Sequence, residues 1–342
     1  MTLITYPTRV HFADNVLEEA LHSELERARC KAPLLLMAHD LAQTELEDRV
    51  RAGLPGAARA HAVTYSPTSD LRMIAKNVAT LDFVPDAIIA FGTARAIELA
   101  RKCRYAITQT LKKRLPLYAV PGVDGLPGPC TRNLESWRAG LPSVLIFDPT
   151  VALGAGQVQS ERASVLSLVR CCESYLTQTY NPLADGMALD GLNRCVINLP
   201  KITRADGVDL QRELMAASLN AALSQEKGVG PALTMSAVLA KASQNLTEAD
   251  IARLVLPAVV RAQVVDEDKA GALLKVLGQN NLELGDAMDR VLAAVAGPRS
   301  LQGLGVPHAA LDSAAQAAVG KAGLGYDAAL HALEDVYESA VT

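Results

Sequence analysis

The first 149 residues repeat one pattern: a short, uninterrupted apolar run, then a stretch in which apolar residues return at helical spacing. Residues 33–38 (PLLLMA) read as a buried strand that ends at His39–Asp40. Residues 62–65 read as another, before the turn Ser66-Pro67-Thr68, and residues 86–91 (DAIIAF), 117–120 and 143–147 follow in the same manner. Helical spacing occupies 70–81 and 94–104. Strands without polar alternation must be covered on both faces, which is the condition of a parallel sheet whose crossovers are helices. After Asp148–Pro149 the pattern changes. Apolar residues then recur at three- and four-residue intervals, predicting helices over 160–177, 184–198, 209–225, 232–244, 248–262, 269–277, 284–296, 311–322 and 327–341. Ser160 and Asp327 stand where a side chain caps a helix start. The expectation is an α/β domain over 1–149, an all-helical domain over 150–342 and a cleft between them. A chain of 342 residues suits two domains, since a single core rarely grows that far.

Charge and composition narrow the partners. A net charge of −4 with no clustered excess of Lys and Arg argues against nucleic acid, and the run Lys112-Lys113-Arg114 reads as a solvated helix end. No apolar stretch approaches the ~20 residues of a membrane span, and residues 1–9 lack a charged head followed by an apolar run, so the expected location is the cytoplasm. Cys30, Cys103, Cys130, Cys171, Cys172 and Cys195 form no CxxC pairs and read as reduced, buried thiols.

Several segments, in order along nearly the whole chain, resemble the iron-containing alcohol dehydrogenases, and the maleylacetate reductases most closely. They are Arg9-Val10-His11-Phe12, residues 85–102 (PDAIIAFGTARAIELARK), residues 117–128 (LYAVPGVDGLPG) and Ile146-Phe147-Asp148-Pro149. Asn181-Pro182-Leu183, Asn198-Leu199-Pro200, Leu256-Pro257, Gly305-Val306-Pro307 and residues 333–340 complete the series. The resemblance implies a dehydroquinate synthase-like fold: a parallel, Rossmann-like sheet followed by an all-α domain. It also implies dimerisation through the N-terminal edge strand, here residues 5–12.

The functional positions survive less well. The family's turn of three glycines and a serine, which cradles the diphosphate of a dinucleotide at a helix N-terminus, matches Gly92, Thr93, Ala94 and Arg95. A Cβ at the second and third positions restricts phosphate approach. Arg95 either holds a phosphate or fills its place. The family's acidic and lysine positions on that helix fall on Glu98 and Arg101. The second cofactor loop keeps Gly122, Gly125 and Gly128, while Asp124, Pro127 and Pro129 alter its chemistry, and the connection to Pro149 is shorter than in the family. Asp40 either accepts from ribose hydroxyls, which would favour NAD over NADP, or forms a turn.

The family's metal site takes one Asp and three His from the helical domain. The histidines here are His11, His22, His39, His61, His308 and His331, and none lies between 62 and 307, where the three ligands belong. The Asp position matches Leu166, the first His matches Arg170, and the later ones match Glu248 and either Val238 or Ala252. Arg170 and Glu248 therefore read as an ion pair in place of the metal, as an arginine left to bind a substrate carboxylate, or as two solvated groups without a role. Cys130-Thr131-Arg132 sits in a loop with no histidine nearby in sequence to activate the thiol, His308 suits a surface or capping role, and Glu173 and Asp185 suit solvated or interhelical roles. No Fe or Zn is expected at the family site, and NAD(P)H is a possible rather than a required cofactor. Three functions remain open: a metal-independent NAD(P)H-dependent reductase of a small carboxylated keto compound, an enzyme repurposed for non-redox chemistry, and a silent subunit. The expected partners are a second copy of the chain, or a related active subunit, and a small carboxylated ligand.

Overall fold

The computed structural model describes residues 8–66, 68–125, 142–203, 207–243 and 246–338. The backbone divides into two compact units, Leu3–Ala155 with Asp206–Met215, and Gly156–Ala205 with Ala216–Thr342.

The first unit holds six strands, β1 (Arg9–Phe12), β2 (Pro33–Ala38), β3 (His61–Tyr65), β4 (Ala87–Gly92), β5 (Leu117–Pro121) and β6 (Val144–Phe147). All pair in parallel in the order β1-β6-β5-β4-β2-β3. The chain lays β3 on one side of β2 and then crosses back to add β4, β5 and β6 on the other. The order thus reverses between β2 and β4, and ligands of open α/β sheets bind beyond the strand ends at such a reversal. The inner strands β2, β4, β5 and β6 are buried at every residue, as their unbroken apolar runs require. The edge strand β3 alternates between buried and exposed.

Among the described residues, four helices flank the sheet: α1 (Leu17–Arg27), α2 (Glu45–Ala52), α3 (Leu71–Val78) and α4 (Ala94–Leu111). α1 buries Leu17, Leu21 and Leu25 against Leu35, Met37, Ile89, Phe91 and Ile146 of the sheet. Each such side chain contributes roughly 1.5–3 kcal/mol of burial. α4 continues past the predicted end at Arg104, because Arg104 and Ile107 are buried rather than terminal. The fully buried Asp148 ties the end of β6 to α1 and α2. Its carboxylate accepts from the amides of Asn15 at 3.0 Å and Leu17 at 3.2 Å, from the amide and hydroxyl of Thr150, and from Arg49 Nη2 at 2.9 Å. Burial pushes its pKa up, and the hydrogen bonds from Thr150, Leu17 and Asn15 outweigh burial and hold it below the ordinary range.

The second unit is built on α5 (Gln157–Leu176), α6 (Pro182–Asn198), α7 (Val208–Ser224), α8 (Pro231–Ala242), α9 (Glu248–Ala262), α10 (Glu267–Leu277), α11 (Leu284–Leu292), α12 (Leu301–Leu304), α13 (Leu311–Ala318) and α14 (Tyr326–Tyr337). The first residues of α7, through Met215, group with the sheet unit. Two predicted caps are corrected. α5 starts at Gln157 after Gly156, so Ser160 lies inside the first turn and is buried. α14 starts after Gly325, which places Asp327 within its first turn. α11 ends at Leu292, before the predicted 296. α5, α6 and α7 approach closely at Gly191 of α6, where an added Cβ would lie 2.6 Å from Cys171 Sγ and 3.0 Å from Asn220 Cβ. Cys30, Cys103, Cys171, Cys172 and Cys195 are free and buried, while Cys130 lies outside the described residues. No described helix is long and apolar enough to cross a membrane.

Candidate functional site

The reversal point gathers the C-terminal ends of β2, β4 and β5, and with them most of the residues singled out from the sequence. Gly92 ends β4 at φ +95°, and a Cβ there would overlap Leu41 Cδ1, so the turn into α4 needs glycine. Thr93 occupies the N-cap position in extended geometry, but its Oγ1 shares a hydrogen bond with the Tyr65 hydroxyl at 2.6 Å instead of capping α4. The Tyr65 phenol is pushed up, first by burial and further by the nearby Asp124. Arg95 turns back over β3: its Nη2 donates to the Ser69 carbonyl at 2.8 Å, and its guanidinium carbon lies 6.0 Å from the centre of the Tyr65 ring. Asp40 is exposed in the single 3-10 turn that follows β2.

The loop after β5 folds onto the start of α4. The Gly122 amide donates to the Gly92 carbonyl at 2.6 Å, and the Gly125 amide closes a turn onto the Gly122 carbonyl at 2.9 Å. That turn presents Asp124, whose Oδ2 accepts from the Ala94 amide at 2.8 Å. A carboxylate therefore sits on the N-terminus of α4, the place at which such helices otherwise hold phosphate. A second anion there meets both an amide already engaged and a like charge. The described residues, in this arrangement, do not fit the diphosphate of a dinucleotide. Gly128, Pro127, Pro129 and Cys130-Thr131-Arg132 lie outside the described residues. The sequence reading noted Asp124 as a change of loop chemistry and missed its contact with α4. The available signal was an acidic residue in a loop assigned to phosphate.

In the helical unit, Arg170 is buried on α5 and Glu248 is half-buried at the start of α9. No ion pair between them occurs among the described residues, which leaves the other two readings of these positions open; α5 and α9 are joined by Arg162 and Asp250 at 2.9 Å. Arg170 lies eight residues beyond Arg162, about 12 Å further along the helix axis at ~1.5 Å per residue. Asp250 also accepts from the Thr247 amide at 2.8 Å, which fixes the start of α9. Leu166, Arg170, Glu248 and either Val238 or Ala252 do not make a divalent-metal donor set, since Leu, Val and Ala offer no donor atom and a guanidinium is cationic. No group of three His, Cys, Asp or Glu placed to hold a metal occurs among the described residues.

Glu173, one turn beyond Arg170, proves to be an interhelical anchor. It is buried and accepts from the Ala232 amide at 2.5 Å and the Leu233 amide at 3.3 Å, at the start of α8. Gly230 makes the room, because a Cβ there would overlap the carboxyl group. Burial pushes the Glu173 carboxyl up to about 8 against these hydrogen bonds. Asp185 is also interhelical: it pairs with Lys227, whose side chain is fully buried and whose ammonium is pulled down by that burial. The His308 ring meets Tyr337 edge-on at 4.8 Å.

A parallel sheet of this order followed by an all-helical unit is the iron-type alcohol dehydrogenase fold, of dehydroquinate synthase-like architecture. The homologues and structural neighbours of the chain are members of the iron-containing alcohol dehydrogenase and maleylacetate reductase family. One relative, the 4-hydroxybutyrate dehydrogenase of Cupriavidus necator, is 25% identical over 91% of this chain and 92% of its own. The maleylacetate reductase of Rhizobium sp. strain MTP-10005 superposes with a TM-score of 0.80 at 18% identity, covering 98% of each chain. The iron-containing alcohol dehydrogenase of Corynebacterium glutamicum gives 0.78 at 19% identity, again over 98% of each. No family model matches the sequence.

Proposed function

We propose that this chain is a homologue of the iron-type alcohol dehydrogenases that has left metal- and nicotinamide-dependent redox chemistry and serves either in non-redox chemistry or as a silent subunit beside an active partner. The observation that carries the reading is the Asp124 carboxylate on the Ala94 amide, which fills the anion position at the start of α4. The absence of histidine from 62 to 307 supports it independently, because the family's metal cannot be held by the residues that replace its ligands. The outer edge of β1 has no neighbouring strand among the described residues, so it is available for pairing with a second chain. Copurification of a related subunit would favour the silent role. Turnover of a small carboxylated compound without nicotinamide would favour the repurposed enzyme.

Calorimetric titration of the full chain with NADH and NADPH, after dialysis against chelator, tests the reading. Neither nucleotide is expected to bind at micromolar concentration. Micromolar affinity in the unmodified protein would overturn the proposal.

A second reading draws on a relative matched over 92% of its length, a 4-hydroxybutyrate dehydrogenase, whose named substrate bears a carboxylate. In this reading the chain reduces a small carboxylated keto compound without metal, and Arg170 holds the carboxylate. The Arg170→Met variant would then raise KM for such a substrate more than it lowers kcat.

A further inference from the structure

The helical unit contains a cavity of about 770 Å³ between α9, α11 and α14, separate from Arg170 and Glu248. Its size lies within the ~300–1,000 Å³ usual for small-molecule sites. Its apolar lining includes Leu254, Leu292 and Val336. The lining also holds a pair of arginines, Arg253 and Arg299. Arg253 of α9 is 5% exposed, its Nη2 donates to the Pro298 carbonyl at 2.5 Å, and its Nη1 is buried without a hydrogen-bond partner. Arg299 lines the same cavity and donates through Nη2 to the Ala293 carbonyl at 2.9 Å.

Neither guanidinium has a carboxylate partner among the described residues. The acids of the cavity have other partners within its lining: Asp289 pairs with Arg261, and Asp335 lies 3.6 Å from His331. Burial first, and then the charge of Arg299, lowers the pKa of Arg253. Two neighbouring cations, one buried with an unused donor, are costly unless an anion joins them. Arginine forks suit a carboxylate or phosphate, whose oxygens accept from two donors at once.

We propose that this cavity binds a small molecule with a carboxylate or phosphate head on an apolar body, the head bridging Arg253 and Arg299 and the body lying along Leu254, Leu292 and Val336. The site is independent of the proposed function, because it shares no residue with the α4 turn.

Isothermal calorimetry on the full chain with hexanoate, hexyl phosphate and hexanol tests it. At least one anion is expected to bind at millimolar concentration or below, at least about tenfold more tightly than hexanol. Arg299→Ala, a change at a half-buried loop residue, is expected to weaken that anion by about tenfold or more, and Arg253→Met by more still. Tighter binding of hexanoate assigns a carboxylate head, and tighter binding of hexyl phosphate assigns a phosphate. The proposal is overturned if neither anion binds at millimolar concentration, if hexanol binds equally well, or if Arg299→Ala binds as the parent does.

Discussion

Asp148 and Glu173 are both buried carboxylates, and pH acts on them in opposite directions. Asp148 is held below its ordinary pKa, so its contribution is present above the unfolded value and is lost as pH falls through the folded one. Glu173 is raised to about 8, so the native state binds its proton more tightly than the unfolded chain does. Its contribution is complete below the unfolded value near 4.5 and is lost as pH rises through about 8. Urea denaturation should therefore show Asp148→Asn to be less stable by about 3 kcal/mol near neutral pH, with the difference shrinking in acid. Removing one acceptor oxygen leaves Arg49 and buried amides poorly matched. The Glu173→Gln variant should lose the decline in stability that the parent shows from mildly acid to mildly alkaline pH. A parent curve that is flat there would contradict the assignment. The role of Asp148 was not legible in sequence, and for Glu173 an interhelical place was one of two readings; the partners of both are amides brought in from a distant element, Asn15 and Leu17 for Asp148, Ala232 and Leu233 for Glu173.

At the scale of elements, Gly191 sets how closely α6 lies on α5 and α7. Gly191→Ala forces its Cβ against Cys171 Sγ and is expected to destabilise the fold by about 1–3 kcal/mol, as overpacking does. Adding Cys171→Ala should recover part of that loss, and a double variant no better than the single one would place the strain elsewhere. The strands were legible because four of them are apolar at every position, and that pattern has few other uses. α1 and α2 were not singled out, since Glu and Arg dominate LEEALHSELER and ELEDRVRA and few positions mark the buried face. Helix starts were misplaced where Gly156 and Gly325 precede the first turn in place of Ser or Asp.

For the whole molecule, the proposed independence of metal has a direct test. Thermal melting in excess chelator, and then in added zinc or ferrous ion, should shift Tm by no more than about 1 °C, because a tightly held ion stabilises by mass action. A larger fall on chelation would reveal a site that these donors do not suggest. The fold was legible from the order of apolar runs, and the positions of the six histidines showed that the family's three histidine ligands have no counterpart between 62 and 307. The cofactor turn was legible as a location, but its state was not. Ala94 and Asp124 are thirty residues apart, and only the fold places one on the other. The same limit applies to the ion-pair reading of Arg170 and Glu248, since matched positions give no relative height along two packed helices, and Arg162 meets Asp250.

Asp124 can also be viewed as a ligand on a tether. Its turn closes on itself through the Gly125 amide, so the carboxylate is delivered to the Ala94 amide at an effective concentration on the order of millimolar or higher. Any free anion must outcompete it at each encounter. The start of α4 thus behaves as a binding site saturated by its own chain.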